Sequence, residues 1–96
     1  TGEWDVRPFG LGVVWCVQWS PDGSKLAAAG GDVVIFDGTT GKELQFFECP
    51  ENKPYRSVCW HPGGKIVAFH GFGDDAVRVH EVRTAREVAV LRKDVG

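Results

Sequence analysis

The stretch "QWSPDG" at residues 18–23 returns forty-one residues later as "CWHPGG". Trp19 answers to Trp60, Pro21 to Pro62 and Gly23 to Gly64. Each Trp has a β-branched residue, Val17 or Val58, two positions ahead of it. Period-two apolar residues running into Pro and Gly spell a half-buried strand that ends in a tight turn. No other property of this 96-residue chain constrains its fold as strongly. A repeated supersecondary unit cannot bury its apolar faces alone and must stack against neighbours.

The match runs well beyond the turn. Lys25-Leu26 aligns with Lys65-Ile66, and the small apolar segment 27–29 with 67–69. Gly30-Gly31-Asp32 aligns with a longer turn at 71–75, and "VVIFD" at 33–37 with the run ending His80-Glu81. Thr40-Gly41-Lys42 then matches Thr84-Ala85-Arg86, and Glu43-Leu44 matches Glu87-Val88. Each unit reads as four short β runs separated by three turns. The predicted strands are 13–19, 25–29, 33–37 and 43–47, then 57–60, 66–70, 77–81 and 87–92. Gly/Asp turns without helical periodicity predict antiparallel meanders. About forty residues per four-stranded unit is a propeller-blade period. The units fall at 13–48 and 55–96, joined by the polar, Pro-bracketed link "CPENKP" at 49–54.

In that order, "WSPDG", a Gly-Gly-Asp turn, "VVIFD" and "TTGKEL" resemble the WD-repeat (Trp-Asp repeat) β-propeller family. The resemblance covers about residues 13–91. The first unit matches well and the second is degenerate. Phe36-Asp37 and His80-Glu81 stand where the family has Trp-Asp, and no Gly-His dipeptide precedes either first strand. The resemblance implies an all-β fold of two four-stranded antiparallel blades. Thr1-Gly2 matches Thr40-Gly41, so residues 1–12 are expected to hold the outer strand of a preceding or partner blade, at Glu3, Trp4, Asp5, Val6 and Arg7. The abrupt start without Met leads us to expect a processed chain or a piece of something longer.

Propellers close with about four to eight blades. Two blades leave two apolar faces of several hundred Å² each to be covered. A trimer would supply about six blades and a tetramer about eight, with the Glu3–Arg7 strand exchanged between chains. The remaining blades of a longer parent chain would serve equally.

Composition narrows the function classes. With 43% apolar and 25% charged residues the chain is an ordinary globular sequence. A net charge of −2 argues against a nucleic-acid partner, which needs a basic patch. The basic residues Arg78, Arg83, Arg86, Arg92 and Lys93 are interleaved with acids, the pattern of a solvated face. Three cysteines, Cys16, Cys49 and Cys59, without CxxC spacing suggest no disulfide framework, so a reducing, cytoplasmic setting is expected. No apolar run has the length of a membrane span.

Chemistry-bearing clusters are few. Cys59 and His61 sit two apart, with His70 and His80 on neighbouring strands, a set with thiolate and imidazole ligands for a weak metal site. Their spacing matches no finger pattern, and no third residue orients a Cys-His pair for nucleophilic attack. The glycines of "AGGD" and "HGFGDD" lack the strand-to-helix context of phosphate loops and read as strand-strand turns. Asp22, Asp32, Asp74 and Asp75 sit where Asp caps turns.

Trp19, Trp60, Phe36, Val17 and Val58 are the expected blade core. Trp15 differs: its repeat partner is Arg56, so the position is not fixed as apolar. It begins the innermost strand. The family resemblance implies that strand starts and their loops form a partner-binding rim, and exposed Trp, Tyr and Arg are common interface anchors. Trp15, Tyr55 and Arg56 are therefore candidate contact residues. Packing of Trp15 between blades is the alternative. The expected function is non-enzymatic, without cofactor: a scaffold for protein or peptide partners. The alternatives are a purely structural, self-assembling unit, engineered or relic, with no dedicated ligand, and the weak metal site at Cys59, His61 and His70.

Overall fold

A computed structural model describes residues 14–50, 53–71 and 76–92. The chain forms eight strands: β1 (Cys16–Trp19), β2 (Lys25–Gly30), β3 (Asp32–Asp37), β4 (Glu43–Phe47), β5 (Tyr55–Trp60), β6 (Ile66–Gly71), β7 (Ala76–Glu81) and β8 (Glu87–Arg92). They make two four-stranded antiparallel meanders, β1-β2-β3-β4 and β5-β6-β7-β8. The fold is the one expected: two propeller blades. β1 starts at Cys16 rather than at residue 13, while β5 starts two residues early, at Tyr55.

The repeated turns explain why the meanders form. In "SPDG" the Ser20 N–H donates to the Lys25 carbonyl at 2.8 Å, and the Gly23 N–H to the Ser20 carbonyl at 2.9 Å. "HPGG" closes identically, from His61 to Ile66 (2.9 Å) and from Gly64 to His61 (2.8 Å). Gly23 and Gly64 adopt φ of +75° and +76°, a left-handed conformation that a Cβ penalises. This shared turn geometry corrects one expectation. Trp19 pairs with Leu26, and Trp60 pairs with Val67, not Ile66. The units therefore superpose with Leu26 on Val67. A one-residue slip would put every side chain on the wrong face of the sheet.

The register sorts the faces. One face of the first blade presents Ala27, Ala29, Val33, Ile35 and Phe47 to Tyr55, Val58, Val67 and Phe69 of the second, in a single buried cluster. The small alanines let the sheets approach, and the aromatics fill the space. Phe47 meets Phe69 at 5.2 Å between ring centroids, and Tyr55 meets Phe69 edge-on at 4.5 Å. His80 stacks on Phe69 at 5.1 Å and meets Phe47 at 5.0 Å, so it serves as an aromatic of the core. Polar ties cross the same interface. Trp60 donates its indole N–H to the Gln18 carbonyl at 2.9 Å, and Gln45 its amide to the Val82 carbonyl at 3.0 Å.

The other face of the first blade gathers Ala28, Val34 and Phe36, with Leu26 and Phe46 packed against them. Val17 and Trp19 belong to this face by register, and here the expectation of a blade core needs correcting: each is 53% exposed. Their repeat partners explain why. Val58 is 3% exposed because the first blade lies against it, and Trp60 is half-buried on the same face. Position in the repeat is the same; what differs is the neighbouring blade. Phe36 and Val58 are each 3% exposed.

Candidate interaction surface

Strand direction places the candidate residues. β1 and β5 both run away from the rim that carries the β2–β3 turn, so Val14, Trp15, Gly31 and residues 53–56 share one edge of the blade pair. The Trp15 N–H donates to the Ala29 carbonyl at 2.8 Å, which fixes the backbone just ahead of β1. Gly31 and Tyr55 exchange two backbone hydrogen bonds, 2.7 Å and 3.1 Å, in an isolated bridge that joins the blades at this rim. Across the junction, the Arg56 guanidinium carbon lies 4.4 Å from the Trp15 ring centroid. This is cation–π geometry, and it leaves Trp15 48% exposed and Arg56 exposed. The aligned pair Trp15/Arg56 thus meets itself across the blade boundary.

Tyr55 is a correction. It was expected at the contact surface and is 3% exposed instead, packed on Phe69. The register shifts between Tyr55 and Ser57, so Arg56 is an extra residue there, and Tyr55 turns inward like Val58 while Arg56 and Ser57 face out. Val14, 49% exposed beside Trp15, is the apolar rim residue that sequence reasoning passed over, because it reads as one more β-branched strand residue.

The metal alternative finds no geometry. Among the described residues no three His, Cys, Asp or Glu side chains gather to hold an ion. Register puts Cys59 and His70 on one face, but as diagonal neighbours, Cys59 being opposite Ala68 and His70 opposite Ser57. His61 lies past the end of β5, and its Nδ1 accepts the Gly63 N–H at 3.0 Å. It closes its own turn. His80 is packed among rings, its Nδ1 3.1 Å from the Ala85 carbonyl.

The carboxylates are structural caps. Asp22 Oδ1 accepts from the Ser20 hydroxyl (2.8 Å), the Ser24 hydroxyl (2.7 Å) and the Ser24 N–H (2.9 Å). These bonds, the Ser24 N–H first among them, hold its pKa down at about 2. Asp37 is lowered in the same way by the N–H groups of Thr40 and Thr39. Asp32 accepts the Cys49 N–H at 2.9 Å, and desolvation together with this aspartate pushes the Cys49 thiol up, away from a reactive thiolate. Gly31 has spent its backbone groups on Tyr55, so "AGGD" is no phosphate cradle. The second glycine stretch falls largely at 72–75, outside the described residues, as does the expected exchange strand Glu3, Trp4, Asp5, Val6 and Arg7.

The opposite rim carries a groove of about 660 Å³ between the blades, lined by Lys25 and Leu44 of the first and Gly64, Lys65, Glu81, Val82 and Arg83 of the second. Its residues are scattered over four segments of sequence, and no motif marks them.

Comparison with known proteins agrees with this architecture. The WD domain, G-beta repeat family matches residues 10–39. WD repeat-containing protein 1-A of Xenopus laevis is 55% identical over 31 residues, 30% of this chain and 5% of that protein. The U3 small nucleolar RNA-associated protein 4 homolog of Mus musculus is 31% identical over 97% of this chain. The chain spans only 13% of that relative's length. Two solved structures, of U3-55K and of the RRP9 WD40 repeats, share the fold with a TM-score of 0.75 at 16% identity. They cover 93% of this chain, which spans 29% and 28% of theirs.

Proposed function

Because the chain belongs to the WD-repeat family, we propose that it works as part of a non-enzymatic protein-interaction scaffold, with the Trp15/Arg56 rim as its contact surface. The observation that carries this reading is the cation–π pair itself. A Trp and an Arg, the residue types most enriched at interface hot spots, stand exposed together on a rim that the Gly31–Tyr55 bridge holds rigid. A ready-made anchor on rigid backbone loses little entropy when a partner binds. The partner class is protein or peptide; a net charge of −2 argues against phosphate backbones. What the U3-associated relative assembles with belongs to that protein and is no guide to this one.

The test is peptide-display selection on the assembled propeller, followed by binding measurements with Trp15→Ala and Arg56→Ala. Selected ligands should lose about tenfold or more in affinity to either variant, as hot-spot residues do, with thermal unfolding unchanged. Ligands indifferent to both substitutions would place the contact elsewhere.

A second reading rests on a different observation. Val17, Trp19 and Leu91 are 53%, 53% and 58% exposed, apolar surface of the kind a neighbouring blade covers. In this reading copies of the chain close the ring as a trimer or tetramer, in the cytoplasm, without a dedicated ligand. Light scattering over a range of concentrations tests it: a sharp trimer or tetramer supports self-closure, and a monomer or broad aggregate refutes it in favour of further blades from a longer chain.

A further inference from the structure

The groove on the rim opposite Trp15 and Arg56 has the composition of a binding site rather than of a packing gap. Three of its lining side chains are cationic, Lys25, Lys65 and Arg83, against one carboxylate, Glu81. Glu81 accepts the Thr84 hydroxyl at 2.6 Å and keeps its charge, so it offsets one of the three. Asp22 and Asp37 lie close enough to Lys25 to feel its charge, so they offset part of it. Both carboxylates are turned into their own turns. With Lys25 offset, Lys65 and Arg83, both exposed on the second blade, face the single charge of Glu81, which leaves a net cationic border.

Between the cations the groove is apolar. Leu44, 44% exposed, and the buried Val82 form its floor. The walls are tied together, not loose. The Val82 N–H donates to the Lys65 carbonyl at 3.0 Å within the second blade, and Gln45 of the first blade reaches the Val82 carbonyl. A rigid cleft with an aliphatic floor and a cationic border at the boundary of two stacked units fits an extended chain that carries both features.

We propose that this groove binds an acidic peptide segment in which an aliphatic side chain sits among Asp or Glu residues. The aliphatic group covers Leu44 and Val82. The flanking carboxylates meet Lys65 and Arg83, whose guanidinium suits a bidentate carboxylate. A nucleic acid is disfavoured, because so small a cationic border neutralises too few phosphates and the floor has no aromatic ring for a base to stack on. The site is distinct from the Trp15/Arg56 rim and stands or falls without it.

The experiment uses the assembled propeller and a short fluorescent peptide with one Leu flanked by Asp and Glu, read by polarisation. Each of Lys65→Glu and Arg83→Glu should weaken binding about fivefold or more, the scale of losing one partly exposed ion pair. Replacing the peptide's Leu by Ser should weaken it similarly. Trp15→Ala should leave it unchanged, which separates this site from the rim. Arg83→Gln, which removes the charge without reversing it, should give an intermediate loss and guards against a folding artefact in the reversed variant. Absence of binding, equal binding of a poly-Glu peptide, equal binding of a single-stranded RNA, or indifference to both charge reversals would each overturn the proposal.

Discussion

The repeat places Val17 and Val58 at the same position of successive blades, and the structure gives them opposite surroundings. Val58 is 3% exposed and Val17 53% exposed. Val→Ala removes the equivalent of two methylenes, about 1.6 kcal/mol of transfer free energy at full burial. The unfilled space beside Phe69 in the buried cluster adds to this, so Val58→Ala should cost about 2 kcal/mol. Val17→Ala removes the same atoms from a half-exposed site and should cost no more than about 0.8 kcal/mol while that face is open. Once another blade covers the face, its cost should rise towards that of Val58→Ala. Urea unfolding of both variants supplies the measurement, first at concentrations where the two-blade chain stands alone and then in the assembled propeller. The slope of the unfolding transition should be unchanged for Val58→Ala, so that the shift of midpoint reports stability. Equal costs at the two positions in the open state, or a Val17 cost that stays small after assembly, would refute the reasoning that neighbouring blades decide burial.

Other consequences concern the turns. Ala85 adopts φ of +64° where its repeat partner Gly41 has +75°, so Ala85→Gly should stabilise the protein by about 0.5 kcal/mol and Gly41→Ala should destabilise it by about 1 kcal/mol, both read from denaturant midpoints. At Gly71 a Cβ would meet the Pro54 carbonyl carbon at 2.9 Å, backbone that cannot move aside without breaking the Tyr55 junction; Gly71→Ala should cost about 3 kcal/mol in the same assay. Asp22 has its pKa lowered from 3.8 to about 2 by the Ser24 and Ser20 bonds. A depressed carboxylate contributes stability above its unfolded value that is lost as pH falls through the folded one, so the Asp22 contribution should disappear between pH 3.8 and about 2, and Asp22→Asn should flatten that part of the acid-unfolding curve.

The blade architecture was legible because the turns carry it. Pro, Gly and Asp at fixed offsets from a Trp dictate where each strand ends, and the two copies check one another. The alignment went wrong by one residue after the second turn because Lys25 and Lys65 are the same residue type, whereas the closing bonds count backbone positions and ignore the side chain. On the first strand of each blade, burial was legible only to the extent that a neighbour is present: Val58, against the first blade, is interior, while Val17 and Trp19, with the same pattern around them, are not; Phe36, in the middle of its own sheet on the face of Val17, is interior without another blade. At the rim, the equivalence of Trp15 and Arg56 flagged a position free of core duty, but it gave no sign that the two would touch. Tyr55 lies inside because the strand begins earlier than its Pro54 suggests and carries a register shift between Tyr55 and Ser57, which no residue type announces. The groove at Lys25, Lys65 and Arg83 left no sequence signal, since stacking alone brings those residues together.

The central claim is that the face carrying Val17 and Trp19 is completed by another blade. Hydroxyl-radical footprinting of the assembled propeller compares two tryptophans that are similarly exposed in this chain, Trp15 at 48% and Trp19 at 53%. The account predicts that Trp19 is protected while Trp15, on the open rim, stays reactive. Trp19 as reactive as Trp15 in the assembled protein would contradict it.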